Sequence, residues 1–175
     1  MILKLCYYGD PILRKRSAPI EHITDEIRQL AVDMVETMDK NNGLGLSGCQ
    51  IGKPIRLFVL RNYVETPDGK WAMSAPSVFI NPKILSVSDE VILDREGCLS
   101  IPGIRGEVQR PLKVTVEATD MSGKVFIEES TGYNARCRLH ENDHLNGVLF
   151  IDRISSQARK KIDPLLREIK KKYAQ

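Results

Sequence analysis

Between positions 25 and 40 the apolar residues recur with a helical beat. Ile27, Leu30, Ala31, Met34, Val35 and Met38 follow i, i+3, i+4, i+7 spacing, which lines one face of an α-helix. Thr24 stands where an N-cap belongs, and Asn41-Asn42-Gly43 supplies a stop. The pattern then shortens to strands: RLFVL (56–60), VFINP (78–82), VILD (91–94), KVTVEATD (113–120) and KVFIEES (124–130). Met121-Ser122-Gly123 joins the last two as a hairpin. GLGLSGCQIG, after the first helix, reads as a glycine-rich loop, and ETPDGK (65–70) has turn chemistry. Helical spacing returns over 132–146, with Gly147 at a C-cap position. The tail from position 155 is helical in composition, with Ile162, Leu165, Leu166 and Ile169 as its apolar face. Asp163-Pro164 predicts either two short helices or one kinked one. This order predicts an α+β fold: mixed or antiparallel β-sheets around the helix at 132–146, with an N-terminal amphipathic helix and a C-terminal helix.

Length and composition narrow the class. No repeat or linker divides the chain, so residues 1–175 read as one domain, long enough to bury one sizeable core. Apolar residues at 42% and charged residues at 28% exclude a disordered chain. A net charge of +3 gives no ground for specific DNA binding, and no apolar run approaches the roughly 18 residues of a membrane span. The first residues show neither a long apolar core nor a cleavage site, so a cytoplasmic protein is expected. In that setting Cys6, Cys49, Cys98 and Cys137 predict packing, metal or catalytic use and not a disulfide framework.

The chemistry concentrates in RCRLHENDHLNG (136–147), which holds two of the three histidines. On a helix His140 and His144 project from one face, so both imidazoles can reach one cation. Glu141 lies about 100° further round, close enough to contact a water beside that cation but badly placed to be a ligand itself. This division of labour underlies the His-Glu-x-x-His pattern of hydrolytic metal sites. The competing interpretation is a solvated helix face with two unrelated histidines. Such a site usually takes a third protein ligand. His22 reads as a surface histidine in polar EHITDE, Asp152 and Glu168 are weakly placed carboxylates, and REGCLSIPG (95–103) offers the Cys98 thiolate behind Gly97.

Three separated segments, GLGLSGCQ (43–50), EGCLS (96–100) and HENDHLNG (140–147), resemble the motifs of peptide deformylases, written GxGLAAxQ, EGCLS and HExDHLxG. The second matches completely and the third at every fixed position. The first matches at Gly43, Gly45, Leu46 and Gln50, with Ser47 and Gly48 in place of two alanines. The similarity runs from YYGDPILRK near the start to LFIDR at 149–153.

The resemblance implies removal of the N-formyl group from the initiator N-formylmethionine of new polypeptides, with release of formate. It implies one divalent metal ion, Fe2+ foremost with Ni2+, Co2+ or Zn2+ as alternatives, held by Cys98, His140 and His144. Glu141 would be the catalytic acid–base, and Gln50 with the backbone N–H of Leu99 would stabilise the oxyanion. Such a donor is typically worth roughly 3–4 kcal/mol of transition-state stabilisation. Leu44, Gly45, Gly97, Arg105 and Cys137 would contact the substrate, with methionine in an apolar pocket. The basic tail, with seven cations against two anions between Ala158 and Lys172, is expected either to be a solvated helix or to dock on ribosomal RNA phosphates. Ser47-Gly48-Cys49 is expected to loosen Gln50, and Cys49 to make the site sensitive to oxidation. Two other readings compete: a His-Glu-x-x-His peptidase cutting internal bonds, and a catalytically silent homologue whose only support is the altered 47–49 segment.

Overall fold

The structure, a computed structural model, describes residues 1–173. An extended N-terminal segment and a 3-10 turn (Pro11–Arg14) lead into helix α1 (Asp25–Lys40). Strand β1 (Gly45–Ser47), a 3-10 turn (Gly48–Ile51), β2 (Leu57–Leu60), β3 (Tyr63–Glu65), β4 (Trp71–Met73) and β5 (Ser77–Val87) follow. Then come β6 (Val91–Cys98), β7 (Ile101–Pro111), β8 (Lys113–Thr119), β9 (Val125–Thr131), α2 (Gly132–Leu145), a 3-10 turn (Phe150–Asp152) and α3 (Ser156–Tyr173). The strands form a five-stranded sheet in the order β1-β2-β5-β8-β9 and two hairpins, β3-β4 and β6-β7, all paired antiparallel. This is the expected α+β class, with antiparallel pairing throughout its strands.

Helix α1 forms as its spacing predicts. The Thr24 hydroxyl accepts from the Ile27 N–H, and acidic Asp25 and Glu26 occupy the first turn, where the helix dipole favours them. Ala31, Met34 and Met38 are fully buried, and Met34 and Met38 pack with Leu46, Leu57, Val59 and Ile80. Each such large side chain withdrawn from water contributes roughly 1.5–3 kcal/mol before entropy is subtracted. The β8–β9 hairpin also matches its pattern. Val114, Val116 and Ala118 point into the core, and the Asp120 side chain accepts from the Ser122 and Lys124 N–H groups to shape the turn.

Helix α2 behaves differently. It lies across β1, β2, β8 and β9 of the sheet and β7 of the hairpin. Its buried residues include Arg136, Arg138, Glu141, Asp143 and His144. Polar side chains at that depth are held by partners, and those partners build the site.

Three sequence expectations are corrected. The tail is one continuous helix, α3, with Pro164 inside it. Of the two alternatives this is the single helix, and Ile162 before the proline and Leu166 and Ile169 after it dock on the same core cluster. Leu165 falls outside that face and is exposed. The segment 101–111, for which no element was predicted, contains Pro102, Gly103 and Gly106 and is nonetheless a strand of 11 residues paired with β6. The glycine-rich loop contains β1 and a 3-10 turn. Among the described residues no helix is long and apolar enough to cross a membrane.

Candidate active site

The site lies where three elements converge: the end of β6, the segment around β1, and the buried face of α2. Cys98 ends β6, and Leu99-Ser100 form the turn into β7. A break in register between Gly97 and Cys98 sets Cys98 out of the regular ladder. Its Sγ lies 3.3 Å from His144 Nε2. The ligand atoms of Cys98, His140 and His144 all fall within 4.8 Å of one another. The sequence left four third partners open, and the fold brings Cys98 to the histidines. His22 is exposed and Asp152 pairs with Arg14.

A divalent cation fits this donor set on three observations. His140 Nδ1–H donates to Glu96 Oε2 at 2.8 Å, which leaves Nε2 as the ring nitrogen open to a cation that displaces its proton. Burial, reinforced by the positive charge of His140 and Arg110, holds the His144 pKa well below its ordinary value, so this imidazole is neutral and able to ligate. Burial alone would lower the His140 pKa too, but bonds to Cys98 and Glu96 outweigh it and raise it well above normal. The same Cys98 and Glu96 contacts that favour a proton there favour a cation.

Glu96 is itself fixed. Arg110 Nε and Nη2 donate to its two oxygens at 2.7 and 2.9 Å, and Arg136 Nη1 donates to Oε1 at 2.8 Å. Burial opposes ionisation, yet these guanidinium bonds and His140 hold the Glu96 carboxyl far below the usual carboxylate range. Arg110 Nη1 also donates to Asp143 Oδ2 at 2.6 Å, and Arg153 closes on the same carboxylate. Glu96 and Asp143 sit within two of the motifs, though their part as anchors was not anticipated. Nothing in the sequence marked Arg110.

Glu141 is buried beside the two histidines, and its Oε2 has no hydrogen-bond partner among the described residues. Burial, more than any neighbouring charge, pushes its pKa up to about 7. Gly45 passes directly over this carboxyl, so closely that a Cβ there would come within 2.8 Å of Glu141 Cδ.

Gln50 is held by its amide oxygen, which accepts from the Ser47 N–H at 2.9 Å and the Ser47 hydroxyl at 3.0 Å. Its Nε2 donates to Cys98 Sγ at 3.4 Å and Ser100 Oγ at 3.1 Å. The expected loosening is therefore reversed: Ser47 adds an anchor that alanine lacks. Gly48 is required by its neighbours, since a Cβ would meet the Lys53 carbonyl oxygen at 2.6 Å. Cys49 is fully buried and its thiol pKa is pushed up to about 12, chiefly by burial, so the expected oxidation sensitivity has no reactive thiolate behind it.

A groove of about 590 Å3 opens onto these groups. Leu44, Gly45, Gly97, Leu99, Arg105 and Cys137 all line it, as does Gln50. Cys137 is a protonated wall residue, its thiol pKa raised to about 12 by burial. Arg105 is exposed at the mouth. Tyr7, Tyr133 and Tyr173 also line the groove, though no motif marked them.

Residues 2–160 match the model of the polypeptide deformylase family. A peptide deformylase of Nitrobacter hamburgensis is 48% identical over 161 residues, covering 92% of this chain and 91% of the relative. One from Rhizobium meliloti is 49% identical over 158 residues, covering 90% and 88%. Among solved structures, a plant peptide deformylase superposes with TM-score 0.87 at 38% identity, over 98% of this chain and 90% of that one. The Thermotoga maritima enzyme superposes with TM-score 0.80 at 37% identity, over 89% and 99%.

Proposed function

The chain belongs to the polypeptide deformylase family, and from that premise we propose which of its residues carry out the deformylation. The enzyme is a hydrolase that removes the N-formyl group from the methionine of nascent polypeptides, and the family is one of metalloenzymes. We assign the metal to Cys98, His140 and His144, with Fe2+ as the native ion and Ni2+, Co2+ or Zn2+ able to replace it. When bound, the cation supplies Lewis-acid polarisation and lowers the pKa of a water. One observation carries the assignment: three ligand atoms within 4.8 Å of one another, with the unpartnered Glu141 carboxylate oxygen buried beside them.

The protein's own groups account for the remaining steps. The formyl oxygen lies against Gln50 Nε2 and the Leu99 N–H; it takes the Nε2 hydrogen that otherwise points at Cys98 Sγ, and both donors bind it more strongly as it gains charge. Gln50 holds that pose because Ser47 fixes its other end. Glu141 Oε2 accepts the proton of the attacking water and returns it to the departing amine, a transfer suited to a carboxyl whose pKa lies near 7. Water is excluded on one side by Gly45, whose missing side chain lets backbone close over the carboxyl. The extended peptide runs along β1 as an added strand, with Leu44, Gly97, Arg105 and Cys137 around the methionine. Residues 1–175 act as one catalytic domain in the cytoplasm, and the basic face of α3 docks on the ribosome.

The test uses protein purified without oxygen and reloaded with nickel or ferrous iron. Formyl-Met-Ala-Ser is deformylated by the wild type, while Glu141→Ala keeps one metal per chain and loses at least about a hundredfold in kcat. Bound metal with full activity in the variant would remove Glu141 from the mechanism.

A further inference from the structure

We propose that the stacked rings of Tyr7 and Tyr173 form a second subsite of the groove, which takes a large apolar or aromatic side chain of the peptide downstream of methionine. The proposal rests on the deformylase reading and extends it to substrate preference. The two rings come from opposite ends of the chain, yet their centroids are 3.7 Å apart with planes 16° off parallel. Both line the groove that contains Glu141 and Cys137. Both are only partly buried.

The position of Tyr7 is tied to the catalytic groups. The Cys6 N–H donates to the Gln50 carbonyl at 2.7 Å, and the Tyr8 N–H donates to the Ser100 carbonyl at 2.8 Å. Tyr7 is therefore clamped between the two segments that supply the proposed oxyanion donors. Tyr173 is held through α3, whose Leu166 and Ile169 are buried and whose Lys170 stem packs against Gly9. An aromatic shelf fixed from both sides is preorganised, so little ordering entropy opposes a ligand that lands on it.

The groove also has the volume and chemistry for this role. Its walls include Leu5, Leu99, Ile101 and Pro102 as well as the two tyrosines. Its volume of about 590 Å3 lies in the roughly 300–1,000 Å3 range of sites that bury a whole drug-sized ligand. A strand rises about 3.3 Å per residue, so a peptide that places its formyl group at Gln50 carries its next residues along the groove away from it. An aromatic side chain there can stack on the exposed part of the pair.

The experiment compares formyl-Met-Ala-Trp-Ala and formyl-Met-Ala-Ala-Trp with formyl-Met-Ala-Ala-Ala, using metal-loaded wild type, Tyr173→Ala and Tyr173→Phe. In the wild type a tryptophan at one of the two positions raises kcat/KM by roughly three- to tenfold, through KM. Tyr173→Ala brings that ratio to about one, and Tyr173→Phe restores it, since the ring is kept. General damage to the fold would lower all three peptides together and leave the ratio unchanged. Equal rates for all peptides in the wild type, or a preference that survives in Tyr173→Ala, would overturn the subsite. Should Tyr173→Ala fail to fold, the product Met-Ala-Trp-Ala is titrated into the wild type while tyrosine ring signals are followed by NMR. Shifts at Tyr7 and Tyr173 support the subsite, and unmoved signals overturn it. No deformylation of any peptide by the wild type would refute the deformylase reading and take the subsite with it.

Discussion

Gly45 shows how a single missing side chain sets the chemistry. Its backbone runs over the Glu141 carboxyl, and a Cβ would stand within 2.8 Å of that carboxyl carbon. Glu141 is buried and cannot swing away without losing its place beside the histidines. Gly45→Ala is therefore expected to lower kcat by about tenfold to a hundredfold through displacement of Glu141, the proposed general base. Metal content should stay near one per chain, which atomic absorption would check. A variant with normal kcat would mean that Glu141 has another productive position. The pairing of His140 with His144 was legible in the sequence because i, i+4 histidines share a helix face whatever surrounds them. The consequence of Ser47-Gly48-Cys49 was not, because it depends on burial. A serine and a glycine suggest flexibility in a loop, but here the serine spans to the Gln50 amide oxygen and the glycine fits against the Lys53 carbonyl.

At the scale of elements, α2 is held by charge where α1 is held by apolar contact. Arg110 on β7 joins β6 to α2 by donating to both Glu96 and Asp143, with all three groups buried. Removing one partner of a buried pair leaves an uncompensated charge, which typically costs about 3–5 kcal/mol. Arg110→Ala should fall near the lower end, about 3 kcal/mol by urea unfolding, because Arg136 still pairs with Glu96 and Arg153 with Asp143. A loss below about 0.5 kcal/mol would show that those two arginines suffice. A more exposed clamp, Arg14–Asp152, ties the first 3-10 turn to the chain after α2. Burial disfavours the Asp152 carboxylate, but its bond to Arg14 more than compensates, so its folded pKa lies below the ordinary value. A carboxylate of that kind stabilises the fold at pH values above its unfolded pKa of about 3.9. Its contribution fades as pH falls through the folded value. Asp152→Asn should thus be less stable than wild type by about 0.5–1 kcal/mol near pH 7, discounted for partial exposure. The gap should close below about pH 4, and a gap constant with pH would assign it to packing. Helix α1 and the β8–β9 hairpin were readable because their apolar periods match their packing. Strand β7 was not, since Pro102, Gly103 and Gly106 contradict its local propensity and only the pairing with β6 makes it a strand.

Across the whole molecule a net charge of +3 is small, but α3 concentrates cations on its outer side. Lys160, Lys161, Arg167, Lys170, Lys171 and Lys172 are exposed, while Leu166 and Ile169 on the opposite side are buried in the core. Deleting the helix would uncover that apolar face and confuse docking with unfolding. Reversing charge on the outer face separates them. Lys160→Glu, Lys161→Glu and Arg167→Glu lie away from the described groove and from the buried side chains of α3. Surface charges of this kind change stability by only a few tenths of a kcal/mol. Binding to RNA phosphates, by contrast, responds to each lost cation and weakens steeply with salt. The triple variant should deformylate a free formyl-tripeptide as fast as wild type, yet co-sediment with ribosomes at least about tenfold less at low salt. Wild-type co-sedimentation should itself fall as salt rises. Equal co-sedimentation of the two proteins would mean that α3 is a solvated helix whose cations serve no ribosomal contact, and that its task is to carry Tyr173 to the groove.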